Sequence, residues 1–373
     1  MSTQPDATPA SSSTPRLSRR RWLTTAAATA GALAVGFGTA RSTAAASPAD
    51  APATERSSLS APIGAVRQMS MQGNMVTNWF GQSSQGGFFT AAMNGHYATQ
   101  GLDMTVDQGG PGIAATPLVA TGKYTFGMSA TDNLLLARAE GIPVVMVFGT
   151  FQRNPQGLMY HNANPVGDFG ALNGRKVFVN SAGNFWQVLA AKYGLDKVDL
   201  QNYNGQSALF LADDTSVSQC FVTSEPIILK SQGFDIGYLV NADSGFNPYQ
   251  NAMICTEQTI KEKPDLVQAY VNAAVMGWSD YVADPLPTLN YIKSNYAKEL
   301  NLETEPLTFA SEKASFITGA GGYDPKLVGM LADAHFKATY DLMREVNVLK
   351  KDLDYTQAFD ASFITKAHAS MGM

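Results

Sequence analysis

TGKYTFGMSATDNLLLARAEGIPVVMVFGTFQRNPQG, residues 121–157, carries the pattern that decides the fold. Tyr124–Met128 is a short apolar run among glycines, the signature of a buried strand. Ser129, Thr131 and Asp132 stand where an N-cap belongs, ahead of the helical run LLLARAEG. Gly141 closes that helix with Pro143 just beyond, and Val144–Phe148 is β-branched and apolar enough to be the next parallel strand. The unit reads strand, polar turn, helix, strand. In an open α/β sheet, the turn at a strand's carboxyl end is where ligands are held, because free backbone N–H groups and a helix N-terminus converge there. Ser129–Asp132 is therefore the first candidate for a binding site.

Upstream, residues 67–80 read as a strand running into Asn78-Trp79-Phe80. A polar, glycine-rich turn (81–87) and the helix FFTAAMNGHY follow. GLDMTVDQGG (101–110) alternates as a strand, and residues 109–112 lead into the helix IAATPLVATG. Downstream, the polar stretch 151–165 reads as a crossover into a second lobe. That lobe has strands at 176–180, 200–204, 219–223 and 237–240. Ser181–Asn184 is a second Gly/Ser turn capping FWQVLAAKYG, and Ser224-Glu225-Pro226 opens the helix PIILKSQG. Residues 245–249 read as the return crossover, and from Lys261 onward amphipathic helices pack back on the first lobe. The expectation is an α/β protein of two lobes joined by two crossover segments, each lobe a doubly wound, mainly parallel sheet. The first lobe spans 67–157 and 251–373, the second 158–250, and the turns at 79–86, 129–132, 181–186 and 225 meet across a cleft.

The whole chain has 373 residues, 45% of them apolar, enough for two ordinary cores, and a formal net charge of −5. Residues 1–46 hold five Arg and one Asp, so residues 47–373 carry −9. That balance offers no basic field for nucleic acid. Ser18-Arg19-Arg20-Arg21-Trp22-Leu23 reads as a twin-arginine export motif, with an apolar run to about Gly38 and a small-residue cleavage site at Ala44–Ala46. The run is short of the roughly 20 residues of a membrane anchor, and no Cys follows it as in a lipoprotein. Residues 47–66 read as an Ala/Ser/Pro-rich linker. A soluble protein released outside the cytoplasmic membrane, the periplasm, is expected, as a monomer without cofactor. Cys220 and Cys255 lie in the apolar runs QCFV and MIC, which favours two core thiols over a disulfide. His96, His161, His335 and His368 show no metal spacing. Gly127–Thr131 lacks the second glycine of a nucleophile elbow, and there is neither a Walker loop nor a dinucleotide fingerprint.

Several phrases, GHYATQGLDMTV, LVATGKYTFGMSATDNLLLARAEGIPVVMV, LNGRKVFVNSAGNFWQVLAAKYGLD and VTSEPIILKSQG, resemble the ABC-importer solute-binding proteins that include thiamine-pyrimidine-precursor, sulfonate/taurine and nitrate binders. The last phrase is similar to that family's Asn-Glu-Pro segment, with Ser224 in place of Asn. The resemblance implies a type II periplasmic binding protein fold, a small-molecule solute and an ABC permease as partner. GIPVVMVFGTFQRNPQGLMYH is most similar to the branch that binds pyrimidine-like precursors. A related eukaryotic branch builds a pyrimidine with a Cys-rich iron motif, and the corresponding region near SAGNFW has no Cys.

Candidate ligand residues follow, each with a structural alternative. Trp79 offers a stacking face or a core ring, and Phe80 beside it reads as core. Ser84 and Gln85 are ligand contacts or caps. Ser129, Thr131 and Asp132 face the cleft or serve their helix start, where the dipole alone favours Asp132. Gln152 and Ser181 lie on the crossover and the second-lobe turn. Asn184 is placed for the ligand, with Phe185 beside it, while Trp186 reads as buried. Glu225 accepts from an amino group or binds its own turn's N–H groups, and Tyr249 closes over the ligand or props the hinge. Arg153 and Arg175 are the cations an anionic ligand would need. The catalytic alternative requires a clustered pair in the cleft, which the motifs do not supply.

Overall fold

The computed structural model describes residues 70–110, 112–180 and 184–373. The export segment, the linker and Ser181 lie outside the described residues. The strands are β1 (Met71–Val76), β2 (Leu102–Asp107), β3 (Phe126–Ser129), β4 (Val144–Phe148), β5 (Gln156–His161), β6 (Lys176–Val179), β7 (Asp199–Asn202), β8 (Val217–Phe221), β9 (Ile236–Val240) and β10 (Ala252–Thr256). They form two five-stranded sheets, ordered β2-β1-β3-β10-β4 and β7-β6-β8-β5-β9. The two orders follow one plan. In the first sheet β1 pairs parallel with β2 and β3, and β10 runs antiparallel to β3 and β4. In the second, β6 pairs parallel with β7 and β8, and β5 runs antiparallel to β8 and β9. Each sheet is thus mainly parallel, with one reversed strand that has just arrived from the other sheet.

The expected crossover at 151–165 is corrected on this point. Residues 156–161 are β5, an inner strand of the second sheet, and the connection itself is shorter. Its middle, Gly157–Met159, is buried, but Gln156, Tyr160 and His161 are half-exposed, and that polar flanking hid the strand. Both Cys220 and Cys255 are free and buried.

The helices are α1 (Gly86–Met93), α2 (His96–Thr99), α3 (Ala115–Ala120), α4 (Thr131–Ala139), α5 (Asn184–Tyr193), α6 (Ala208–Leu211), α7 (Glu225–Ser231), α8 (Glu257–Glu262), α9 (Pro264–Ala283), α10 (Leu286–Asn295), α11 (Glu305–Ser315), α12 (Asp333–Glu345) and α13 (Ser362–Ser370). None of the described helices is long and apolar enough to cross a membrane. The long α9 lies against α1, and glycine makes that approach feasible. A Cβ on Gly86 would meet the Tyr281 ring at 2.1 Å, and one on Gly87 the Trp278 ring at 2.3 Å. Beneath the first sheet Tyr270 stacks on Phe126 with centroids 3.9 Å apart, and Phe88 sits edge-on to Phe148 and Trp278. Burying each such ring contributes roughly 2–3 kcal/mol, so this aromatic stack fixes the start of α1, and with it the turn at 82–85. Phe80 is not in that core: it is 46% exposed and edge-on to Trp79, a correction to the expected packing. Gly109 approaches the Thr77 carbonyl too closely for any Cβ, and the Phe80 ring lies over the neighbouring Gly110 instead of in the core.

Candidate binding cleft between the two sheets

A cavity of about 510 Å³ opens between the two sheets. The first sheet supplies the turns after β1, β2 and β3 and the residues before β10, including Asn78, Trp79, Gln82, Gln85, Ile113, Thr116, Ser129, Asp132, Gln250 and Asn251. The second supplies Gln156, Asn180, Asn184, Phe185, Tyr203, Gln219, Phe221 and Glu225. These are the carboxyl ends of the parallel strands, where side chains and backbone leave the ladder and are free to face a ligand.

The polar lining offers acceptors. Asp132 is 3% exposed and its Oδ1 has no partner. Burial pushes its carboxyl up to about 6 against the opposing pull of the Asn133 and Asp132 N–H groups. Asn78 donates to Asn251 Oδ1 at 3.0 Å, while its own buried Oδ1 is unpartnered. Glu225 accepts from the Phe221 N–H at 2.9 Å and from the Tyr203 hydroxyl at 3.4 Å. Burial raises its pKa, the N–H groups and Tyr203 oppose that shift, and the charge of Glu305 adds to it. The Tyr203 phenol is raised in turn, by burial and by Glu225. No Lys, Arg or His is among the described lining residues. Arg153 pairs with Asp243 at 2.5 Å and lies over the Phe316 ring, and Arg175 donates to the carbonyls of Asn164, Pro165 and Thr215. Two hydrogen bonds bridge the cleft, from Asn184 Nδ2 to Asn133 Oδ1 and from Gln250 Nε2 to Gln156 Oε1.

Trp79, Gln85, Ser129, Asp132, Asn184, Phe185 and Glu225 all line the cavity. Four other candidates are corrected. The buried Ser84 hydroxyl accepts from Gln82 Nε2, and Thr131 Oγ1 accepts from the Tyr249 N–H. Gln152 Nε2 donates to the carbonyls of Gly149 and Met330. Tyr249 is fully buried, its hydroxyl accepts from the Ala332 N–H at 3.0 Å and its ring stacks on His335. Thr131 and Tyr249 thereby fasten the return connection to the start of α4 and leave no side chain over the cleft. The N-cap of α4 is Ala130, with no side-chain cap, so Asp132 sits one residue inside the helix with its Oδ1 unpartnered. Ser181 lies outside the described residues. Asn78, Gln156, Tyr203, Gln219, Gln250 and Asn251 were not anticipated. The Asn78 position was signalled by its neighbour Trp79, and that of Gln156 only by β5.

Among the described residues, no group of three or more His, Cys, Asp or Glu could hold a metal ion. The riboflavin-binding protein RibY of Chloroflexus aurantiacus is 26% identical over 294 residues, 74% of this chain and 81% of RibY. The formylaminopyrimidine-binding protein of Halalkalibacterium halodurans is 24% identical over 264 residues, 67% of this chain and 80% of that protein. The fold is shared with the alkanesulfonate-binding protein SsuA of Xanthomonas axonopodis pv. citri, with a TM-score of 0.59, 13% identity, and coverage of 78% of this chain and 98% of SsuA. Residues 82–287 match the family described as NMT1/THI5 like, and the chain belongs to that family.

Proposed function

We propose that this chain is the extracytoplasmic solute receptor of an ABC importer, and that its two lobes close around a neutral heteroaromatic solute bearing N–H groups. Pyrimidine- and flavin-like compounds fit this description. One observation carries the reading: the cleft holds the buried Asp132 carboxylate, the half-buried Glu225 carboxylate, an unpartnered amide oxygen on Asn78 and an aromatic face at Trp79, with no Lys, Arg or His among its described lining residues. A solute with N–H donors along one edge and a flat ring satisfies both at once. Lobe closure follows because the solute makes contacts from both sides only in the closed form, so binding shifts the population that way. The relatives named for riboflavin and formylaminopyrimidine support the solute class. A sulfonate or nitrate is disfavoured, because it would face Asp132 and Glu225 with neither Arg153 nor Arg175 at hand. The twin-arginine segment supports export to the periplasm, where a permease in the inner membrane would receive the closed form, and the acidic balance supports a protein without nucleic-acid partners.

Thermal unfolding of the purified protein with pyrimidine precursors, riboflavin, alkanesulfonates and nitrate tests the reading. The expected result is a rise in Tm with a heteroaromatic compound alone. A rise with sulfonate or nitrate and none with the heteroaromatics would overturn it. The enzymatic alternative is checked in the same samples, since a binding protein returns its solute chemically unchanged.

A further inference from the structure

Against the turn at 82–85 lies a second polar cluster in the first lobe, none of whose residues lines the cleft. α11 contributes Glu305, Thr308 and Glu312, spaced at three and four residues and so sharing one helix face. They are 5%, 1% and 1% exposed. Glu305 accepts from the Ser83 N–H at 2.9 Å. Both oxygens of Glu312 are without a partner, and so are the hydroxyls of Thr308 and Ser83. The second observation comes from another element. Tyr281 of α9 is fully buried and packs on Phe309 of α11 with ring centroids 4.5 Å apart; its hydroxyl is also unpartnered and feels the charges of Glu312 and Glu305. The Ser83 hydroxyl is close enough to favour the charged form of both carboxylates, yet meets neither at full hydrogen-bond geometry.

An ionised carboxylate with no partner is not tolerated in a protein interior. A proton on Glu312 would neutralise it and add one donor, whereas a cation would engage both of its oxygens and the three hydroxyl oxygens together. A cation accepts several oxygens at once, and apart from the rings of Phe309 and Trp278 packed on Tyr281, the side chains named here present oxygen. Oxygen-only donors select a hard cation. We propose that Glu305, Glu312, Ser83, Thr308 and Tyr281 form a site for a hard cation of the sodium or calcium class. Bound there, the ion ties α9 and α11 to the turn that presents Gln82 and Gln85 to the cleft, and holds that turn in its ligand-ready shape.

The test uses the full chain, stripped with EDTA and desalted, without any solute, so its outcome is separate from that of the proposed function. Thermal unfolding is followed at constant ionic strength with choline, Na⁺, K⁺ or Ca²⁺ as the titrated cation. The expected result is a saturable rise of roughly 3–6 °C with Na⁺ or Ca²⁺ over choline at a hundredfold excess over the dissociation constant. Which ion raises Tm identifies the class. Glu312→Gln should abolish that rise. If Glu312→Gln does not fold, Tyr281→Phe should weaken the cation's affinity at least severalfold. Equal Tm values with every cation would overturn the proposal, and so would a variant that responds as the parent does. A Glu312→Gln protein that is more stable than the parent in every salt, with no cation response in either, would show that Glu312 carries a proton instead.

Discussion

Asp132→Asn should make the protein more stable and a poorer receptor. The carboxyl is 3% exposed, and burial raises it from 3.8 to about 6. A group whose folded pKa lies above its unfolded value destabilises the folded state when ionised. The penalty is absent below the unfolded pKa, grows as pH rises from about 4 to 6, and is complete above that. Roughly two units at 1.36 kcal/mol each give about 3 kcal/mol at pH 7.5, shrinking to about 1 kcal/mol at pH 4.5. Asparagine keeps the shape and the acceptor oxygen that faces the Asn133 N–H, but has no charge to desolvate. Calorimetry of solute-free protein should therefore place the variant up to roughly 10 °C above the parent at pH 7.5, at 2–4 °C per kcal/mol, with the gap closing towards pH 4.5. Isothermal titration should show solute affinity reduced roughly 10- to 100-fold, the worth of a hydrogen bond to a charged acceptor. A variant no more stable than the parent at pH 7.5, or one with the same offset at both pH values, would refute the reasoning.

Solute affinity should be flat above pH 7 and should weaken below pH 6, as the Asp132 carboxylate is protonated and its acceptor strength lost, seen by titration calorimetry across that range. Trp79→Ala should weaken binding of a heteroaromatic solute by about 30-fold or more, as a truncated aromatic anchor does, and an unchanged dissociation constant would remove the stacking role. Tyr249→Phe should destabilise the protein by about 1–2 kcal/mol in urea titration, because it strands the Ala332 N–H, while leaving solute affinity intact. Gly87→Ala should cost about 3 kcal/mol or more, since its Cβ would lie 2.3 Å from the Trp278 ring on a helix that cannot retreat.

The two-lobed plan was legible because its parallel strands are short, apolar and punctuated by glycine, so Tyr124–Met128 and Val144–Phe148 declare themselves. Local pattern failed at β5, where Gln156, Tyr160 and His161 interrupt the apolar run. What makes that segment a strand is a pair of antiparallel neighbours more than 50 residues away, β8 and β9. The cleft was half legible for a related reason. Residues following a parallel strand, such as Trp79, Asp132 and Glu225, are delivered there by the topology alone. Whether a polar side chain then faces the ligand or its own backbone depends on contacts made far away in the chain. Thr131 and Tyr249 bond to each other across 118 residues, and nothing near either position announces it. The buried carboxylates of α11 look, one by one, like the polar face of a surface helix. Only the packing of α11 on the turn at 83–85 and on Tyr281 of α9 puts them inside.

The place of β10 has a consequence for biosynthesis. It lies between β3 and β4, so neither of those strands has its inner partner until Thr256 has been made. A nascent chain released earlier, at residue 250 for example, would present the edge of β3 and a β4 lacking the strand neighbour that β10 provides in the finished sheet, and such edges recruit other chains. The second lobe, complete in sequence between β5 and β9, can be assembled first; the first lobe must wait for it. Ribosome-bound or truncated forms ending before β10 should therefore be captured by chaperones or aggregate, whereas those ending beyond it acquire both sheets together.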